Sequence, residues 1–312
     1  MSRPGIHHPG ASAVAAKGWV QANKWLLARR LSQALVVAVF LTGPLWGVWI
    51  AKGTLASSLT LGILPLTDPL MVLQGLLAGH LMTATALLGA AIVLGFYVLV
   101  GGRVYCSWVC PVNAVTDLAH WLRLRLGIEK GLNLNRDTRF WLLGGVLVAA
   151  AATGTIAWEA INPVTVLHRG LVTGSILGLG SAALVTAAVF LFDLGVAARG
   201  WCTHLCPVGA FYGLIGRAAV LRVTAVDRAA CDDCMDCFSV CPERHVIAPA
   251  LRGAAKGVGP VILSADCTNC GRCIDVCSKT VFRFGTRFRN APTDAPTGSA
   301  EADAAAPPAK VA

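Results

Sequence analysis

The chain has 312 residues, long enough for two domains. Hydrophobic residues make up 55% of it and charged residues only 13%, a balance that excludes an ordinary soluble protein and points to the membrane class. A net charge of +10 would suit a nucleic-acid partner, but the positions of the charges exclude that reading too.

In chain order, residues 1–30 form a basic segment with Lys17, Lys24, Arg29 and Arg30 and no apolar core, so a cleavable signal peptide is not expected. Four apolar stretches follow, and each is read as a membrane-spanning helix: Leu31–Ile50, Leu76–Val100, Phe140–Trp158 and Leu171–Phe192. The stretch from Gly53 to Pro69 is interrupted by Pro65, Asp68 and Pro69 and is read as a loop on the membrane surface. Residues 1–30 carry five Lys or Arg and the connection Gly101–Arg139 carries six, Lys130 among them. The two other connections carry only Lys52 and Arg169. The asymmetry predicts cytoplasmic N- and C-termini with a cytoplasmic middle connection. The basic surplus therefore sits beside the membrane, where anionic lipid attracts it. From Asp227 to Asn290, by contrast, nine basic residues face seven acidic ones, which leaves no footprint for nucleic acid.

The membrane region, 31–222, reads as two parallel two-helix repeats. "DPLMVLQGL" from Asp68 matches "NPVTVLHRGL" from Asn162, and "CPVNAVTDL" from Cys110 matches "CPVGAFYGL" from Cys206. Each repeat ends in a C-x3-C-P motif, "YCSWVCP" with Cys106 and Cys110, and "WCTHLCP" with Cys202 and Cys206. Cysteines four apart on an α-helix share one face, and a pseudo-twofold would bring all four towards one axis. Four thiols there suit an additional metal (iron, copper(I) or zinc) or a pair of redox dithiols; helix-end packing is the plainer alternative. Pro111 and Pro207 are expected to fix the turn that leaves each motif.

Residues 223–290 hold "CDDCMDCFSVCP" and "CTNCGRCIDVCS", the doubled C-x2-C-x2-C-x3-C run of two-cluster ferredoxins. Three thiolates of each run wrap one cluster and the fourth crosses over. Cys231, Cys234, Cys237 and Cys277 are thus assigned to one [4Fe–4S] cluster, and Cys267, Cys270, Cys273 and Cys241 to the other. Zinc rarely needs this run twice. Ser278 replaces the proline expected after the second run. Asp232, Asp233 and Asp236 crowd the first run while Arg272 lies in the second, so the first cluster is expected at the lower potential. The tail from Ala291 lacks aromatics and is expected to be disordered. The fold class expected is a four-helix membrane domain followed by a small α+β two-cluster ferredoxin-like domain.

This arrangement, with "CMDCFSVCPE" and "CGRCIDVCS" in particular, resembles the NapH family of membrane ferredoxin-type proteins, over roughly Trp25 to Arg289. The resemblance implies a bacterial inner-membrane subunit that oxidises quinol and serves a periplasmic nitrate reductase. It also implies a periplasmic iron–sulfur partner and a membrane-anchored cytochrome c. More loosely similar membrane ferredoxins serve nitrous oxide reduction, methylamine oxidation and cytochrome oxidase assembly, so an accessory role in metalloenzyme assembly, such as copper handling, stands as the alternative. A physical difficulty accompanies the first reading: cytoplasmic clusters and a periplasmic acceptor are separated by about 30 Å of hydrocarbon. His80, near the outer end of the second stretch, is a candidate quinol contact or a helix–helix hydrogen-bonding residue.

Overall fold

The computed structural model describes residues 9–128 and 131–288; the expected disordered tail and Lys130 lie outside them. Two short helices, α1 (Ala11–Lys17) and α2 (Trp19–Ala22), lead into α3 (Lys24–Trp46). The first expected span, 31–50, therefore begins and ends earlier. Helix α3 has no side-chain cap of its own. The Asp275 carboxylate accepts from the Trp25 and Leu26 N–H groups at 3.2 and 2.9 Å, so a distant residue supplies the negative charge that a helix N-terminus favours. Gly47, at φ 72°, ends the helix in the left-handed conformation.

The stretch read as a surface loop is instead a three-stranded antiparallel sheet, in order β1 (Ala51–Gly53), β2 (Ser57–Thr60) and β3 (Leu64–Thr67). In apolar surroundings the backbone groups of such a segment must pair with one another, and strand pairing does this. The Asp68 carboxylate then accepts from Leu70 N–H at 2.9 Å, and Pro69 takes the first helical position of α4 (Pro69–Leu77). The expected span 76–100 is thus broken. Gly79 (φ 81°) interrupts it, and Thr83 caps a separate α5 (Ala84–Val100). After α6 (Val112–Arg125), α7 (Thr138–Thr153) stops at Gly154 (φ 65°), short of the expected Trp158, which is buried in α8 (Ala157–Ile161). Asn162 repeats the role of Asp68, accepting from Val164 N–H at 3.1 Å to start α9 (Pro163–Thr173). Gly174 and the Ser175 cap separate α9 from α10 (Ile176–Leu191), so the fourth expected span, 171–192, loses its first residues to α9.

Among the described residues, two helices are long and apolar enough to cross a membrane, Lys24–Trp46 and Ile176–Val196; the second is α10 extended by a π-helical turn. Helices α5 and α7, of 17 and 16 residues, fall below the roughly 20 that a bilayer core asks for. The segments before α4 and α9 fold back onto the helical body. Leu55 packs with Cys110 and Trp201 around buried Val112, Val164 and Val189. Leu70 and Trp158 share a core with Tyr97, Val104 and Tyr212, and the Tyr212 hydroxyl donates to Asp68 at 3.2 Å.

Past α11 (Pro207–Gly216) come β4 (Leu221–Ala225), α12 (Asp236–Val240), α13 (Ile247–Arg252), α14 (Arg272–Asp275) and β5 (Phe282–Thr286). Strands β4 and β5 pair antiparallel, and their core holds Val223, Ile247, Ile262 and Phe282. This is the ferredoxin-like part of the chain.

Gly102 sits where α5 meets α11: a Cβ there would lie 1.9 Å from the Tyr212 carbonyl oxygen and 2.5 Å from the Gly216 nitrogen. Gly102→Ala is therefore expected to destabilise the protein by about 2 kcal/mol or more, read as a lower thermal midpoint in detergent. An unchanged midpoint would mean that the two helices do not approach this closely.

Candidate redox site

The doubled cysteine runs fold into matching loops. Residues two and four positions after the first cysteine take left-handed backbone conformations in both: Asp233 (φ 54°) and Met235 (φ 65°) after Cys231, Asn269 (φ 46°) and Gly271 (φ 72°) after Cys267. Alternating right- and left-handed residues turn successive N–H groups inwards, a concavity that favours an anionic guest. One small cavity is lined by Cys231, Cys234, Cys237 and Cys277, and another by Cys241, Cys267, Cys270 and Cys273. Each run therefore sends its last cysteine to the other's cavity. Burial pushes the Cys237 and Cys241 thiols up to about 12, with neighbouring thiols adding to the shift. A [4Fe–4S] cluster fits this donor set: four thiols converge on each cavity, and iron supplies the positive charge that the sulfurs otherwise lack.

The C-x3-C-P motifs depart from the α-helical geometry expected of them. Both are π-helical turns, Tyr105–Val109 and Trp201–Leu205, and each closes with its second cysteine in extended backbone. The two cysteines of a motif are thus not stacked one α-turn apart. Pro111 is the N-cap residue of α6, and Pro207 is the first residue of the helix that follows the second motif. Cys106, Cys110, Cys202 and Cys206 are half-buried and lie near enough to one another for their charges to interact. Three tyrosines stand beside them, Tyr97 and Tyr212 buried and Tyr105 half-buried, with Tyr105 stacked on Tyr212 at 5.1 Å and Tyr97 edge-on to Tyr212 at 5.0 Å.

The first motif is bonded directly to the second cysteine run. Ser107 Oγ donates to the Thr268 carbonyl at 2.8 Å and Trp108 Nε1 to the Asn269 carbonyl at 3.1 Å. Asn269 Nδ2 in turn donates to the carbonyls of Val100 and Leu221, at 3.0 and 2.9 Å. From α3, Gln33 Nε2 donates to the carbonyls of Ser107 and Cys110, both at 3.1 Å. His80 stands apart: it is exposed, and its Nε2 meets the Gly154 carbonyl at 2.9 Å, a bond between the ends of the second and third apolar segments.

Two buried ion-pair groups, neither singled out in the sequence, join the helices to the ferredoxin-like part. Glu243, 1% exposed, meets Arg103 at 2.6 Å and Arg139 at 3.3 Å, and Arg139 reaches Asp266 at 2.5 Å. Arg103 also donates to the carbonyls of Asp266 and Cys202, which ties the second C-x3-C-P motif to the same point. The ligand atoms of Glu243, His245 and Asp266 lie within 4.8 Å of one another, but Arg103 and Arg139 already neutralise the carboxylates, so the group is an ion-pair joint. In the second group, Asp117 receives Arg30, Arg272 at 2.6 Å and Arg29 at 3.6 Å. Burial would raise the Asp117 pKa, but Arg272, Arg199, Arg30 and Arg29 together hold it well below the usual carboxylate range. The sequence signal for both groups was faint: charged residues just outside apolar stretches, with partners up to 155 positions away.

A carboxylate with a depressed folded-state pKa contributes stability above its unfolded pKa and loses it as the pH falls. Asp117→Asn removes the charge that three arginines share and is expected to cost about 3–5 kcal/mol at pH 7. The gap to the parent protein should begin to close below about pH 4, where the unfolded carboxyl takes up its proton. A gap independent of pH in thermal unfolding would contradict the charge argument.

Known proteins resemble this chain over nearly all of its length. A family model described as a 4Fe-4S binding domain matches twice, at residues 82–129 and 178–224, each time across a C-x3-C-P motif. A 4Fe-4S dicluster domain matches residues 230–281. The methylamine utilization ferredoxin-type protein MauN of Paracoccus denitrificans is 55% identical over 89% of this chain and 95% of its own length. MauN of Methylorubrum extorquens is 52% identical over 90% and 95%, and the ferredoxin-type protein NapH of Escherichia coli 50% over 89% and 95%. The two groups match about equally, although the motifs had pointed to NapH first. No solved structure matches. Identity at this level over nearly the whole length is decisive: the chain belongs to the family of NapH and MauN ferredoxin-type proteins, electron-transfer proteins with 4Fe–4S domains.

Proposed function

We propose that the protein is a four-span inner-membrane electron-transfer subunit, with both termini cytoplasmic, that takes electrons from quinol and sends them towards a periplasmic redox partner. The observation that carries this reading is the direct bonding of a C-x3-C-P turn to the loop between Cys267 and Cys270. In this reading residues 31–222 are the membrane domain and 223–290 the cytoplasmic cluster domain. Cys231, Cys234, Cys237 and Cys277 hold one [4Fe–4S] cluster; Cys267, Cys270, Cys273 and Cys241 hold the other. Each cluster, when bound, takes up and gives back one electron. Cys106, Cys110, Cys202 and Cys206 form a further metal or dithiol site.

The membrane-thickness difficulty eases on the same geometry. Leu55, in the segment after the first apolar helix, packs against Cys110, and Asp68 meets Tyr212. The four thiols thus lie between the ferredoxin-like part and the segments proposed to face outwards, which supports a protein route for electrons through a shortened barrier. The terminal pathway we favour is periplasmic nitrate reduction. The identity to MauN proteins favours a second reading, electron supply for methylamine utilisation.

Charge sets the order of filling. Around the second set of thiols, Arg272 and Arg29 bring the Cys270 thiol below its usual range despite burial. Around the first, Asp233 is held by Arg252 at 2.6 Å in an exposed pair, and buried Asp236 accepts the Gly10 N–H at 2.9 Å. Positive surroundings favour an added electron, so the second cluster should carry the higher potential.

Two experiments test the reading. Anaerobic mixing of the purified, cluster-loaded protein with a short-chain quinol should produce a reduced-cluster paramagnetic signal, arising first from the Cys267–Cys273 cluster. Clusters that dithionite reduces and quinol does not would overturn the quinol assignment. In Cys277→Ala, the cluster of the Cys231–Cys237 run should lose its signal while the other is retained; loss of the other one alone would mean that each run holds its own cluster.

A further inference from the structure

A cavity of about 530 Å³ opens between the start of α3, helix α6 and the α12 and α14 turns of the ferredoxin-like part. That volume suits a small organic ligand. One wall is apolar, from Leu26, Leu118, Trp121 and Leu124. Leu118, Trp121 and Leu124 are each about half exposed, a stripe along α6 through which an apolar tail can enter from the bilayer surface. The opposite wall is chemically distinct. Val240, Arg272 and Val276 line it, and they adjoin Cys241, Cys273 and Cys277 in the chain, so the cavity borders the ligand loops of both proposed clusters.

His120 lines this cavity, is 7% exposed, and has no partner for either ring nitrogen. A buried imidazole with two idle nitrogens is costly unless a guest satisfies it. Burial, with Arg199 and Arg272 beside it, pushes its pKa down to about 3, so the ring is neutral and keeps a lone pair for a hydroxyl donor. Four arginines (Arg29, Arg30, Arg199 and Arg272) face two carboxylates, Asp117 and Asp275, in the same lining. Their positive surplus suits a phenolic oxygen that gains negative charge. Arg30, Arg272 and Arg199 are already engaged, by Asp117 or by the Val240 carbonyl, which disfavours a phosphate headgroup, and the neutral imidazole stands as an open acceptor beside Arg29 nitrogens that make no hydrogen bond among the described residues.

We propose that this cavity binds the hydroquinone ring of a membrane quinol, with His120 accepting a hydrogen bond from a ring hydroxyl and the isoprenoid tail leaving over Leu118 and Trp121. The proposal rests on quinol being the electron donor, and it puts the site at α6 rather than at His80.

The test is photolabelling of the full-length, cluster-loaded protein in nanodiscs with an azido-quinone, followed by peptide mapping. Label that excess quinone displaces is expected on residues 112–125 or 236–241. His120→Ala should weaken labelling about tenfold, the loss of one buried hydrogen bond, with iron and sulfide content unchanged, and His120→Gln, which keeps an acceptor, should recover part of it. Leu118→Trp, at an exposed position, should narrow the entrance and weaken labelling independently. Displaceable label around His80 alone would overturn the cavity assignment and leave the quinol reading standing. No displaceable label anywhere would overturn the quinol reading, and the site with it. A phospholipid retained by the parent and lost from His120→Ala, with labelling unaffected, would assign the cavity to lipid and overturn the proposal.

Discussion

The structure depends on a charge network buried where the helices meet the ferredoxin-like part. Glu243 lies between Arg103 and Arg139, each at most 2% exposed. Three arginines close on Asp117 a short way off. Such pairs add little net stability over apolar packing, because desolvation consumes most of the Coulomb gain. Their effect is on geometry: removing either partner strands a buried charge, so the network tolerates one relative placement of its elements. Arg103 reaches Glu243, the Asp266 carbonyl and the Cys202 carbonyl together, and so fixes the C-x3-C-P turns against the ferredoxin-like part.

That placement is what electron transfer requires. Ser107 and Trp108 bond to the loop between Cys267 and Cys270, and Asp275, close behind Cys273, caps α3. Motion of the ferredoxin-like part would break a helix cap, two hydrogen bonds from a cysteine turn and a buried ion pair at once. The two halves of the helical region share an Asx-capped Pro helix and a π-helical cysteine turn, and the same family model matches both. The ferredoxin-like part engages the halves unequally: the first turn bonds to it through Ser107 and Trp108, whereas beside the second Arg199 donates to the Val240 carbonyl, and the Cys202 and Thr203 carbonyls accept from Arg103 and Arg139.

The features legible in the sequence were those that spacing dictates. The convergence of Cys277 with Cys231–Cys237, and of Cys241 with Cys267–Cys273, follows from the doubled run, because short loops can wrap only one cavity each. Hydropathy found the apolar segments but not their breaks. Gly79, Gly154 and Gly174, with the caps at Thr83 and Ser175, end helices inside continuous apolar runs, and such signals are weak beside hydrophobicity itself. The sheet at 51–67 was missed because an apolar segment with prolines reads as irregular until its strands pair. The ion pairs and the Asp275 cap were barely legible: they join residues 87 to 250 positions apart, and no local pattern marks which charges pair.

The central claim is that the buried carboxylates hold the ferredoxin-like part and the cysteine turns as one body. Hydrogen–deuterium exchange on the cluster-loaded protein, comparing the parent with Glu243→Gln, measures this most directly. The account predicts faster exchange on both sides of the joint together, in residues 103–110 and 199–206 of the turns and in 266–270 of the cluster loop. Faster exchange confined to the neighbours of residue 243, with the turns unchanged, would contradict it.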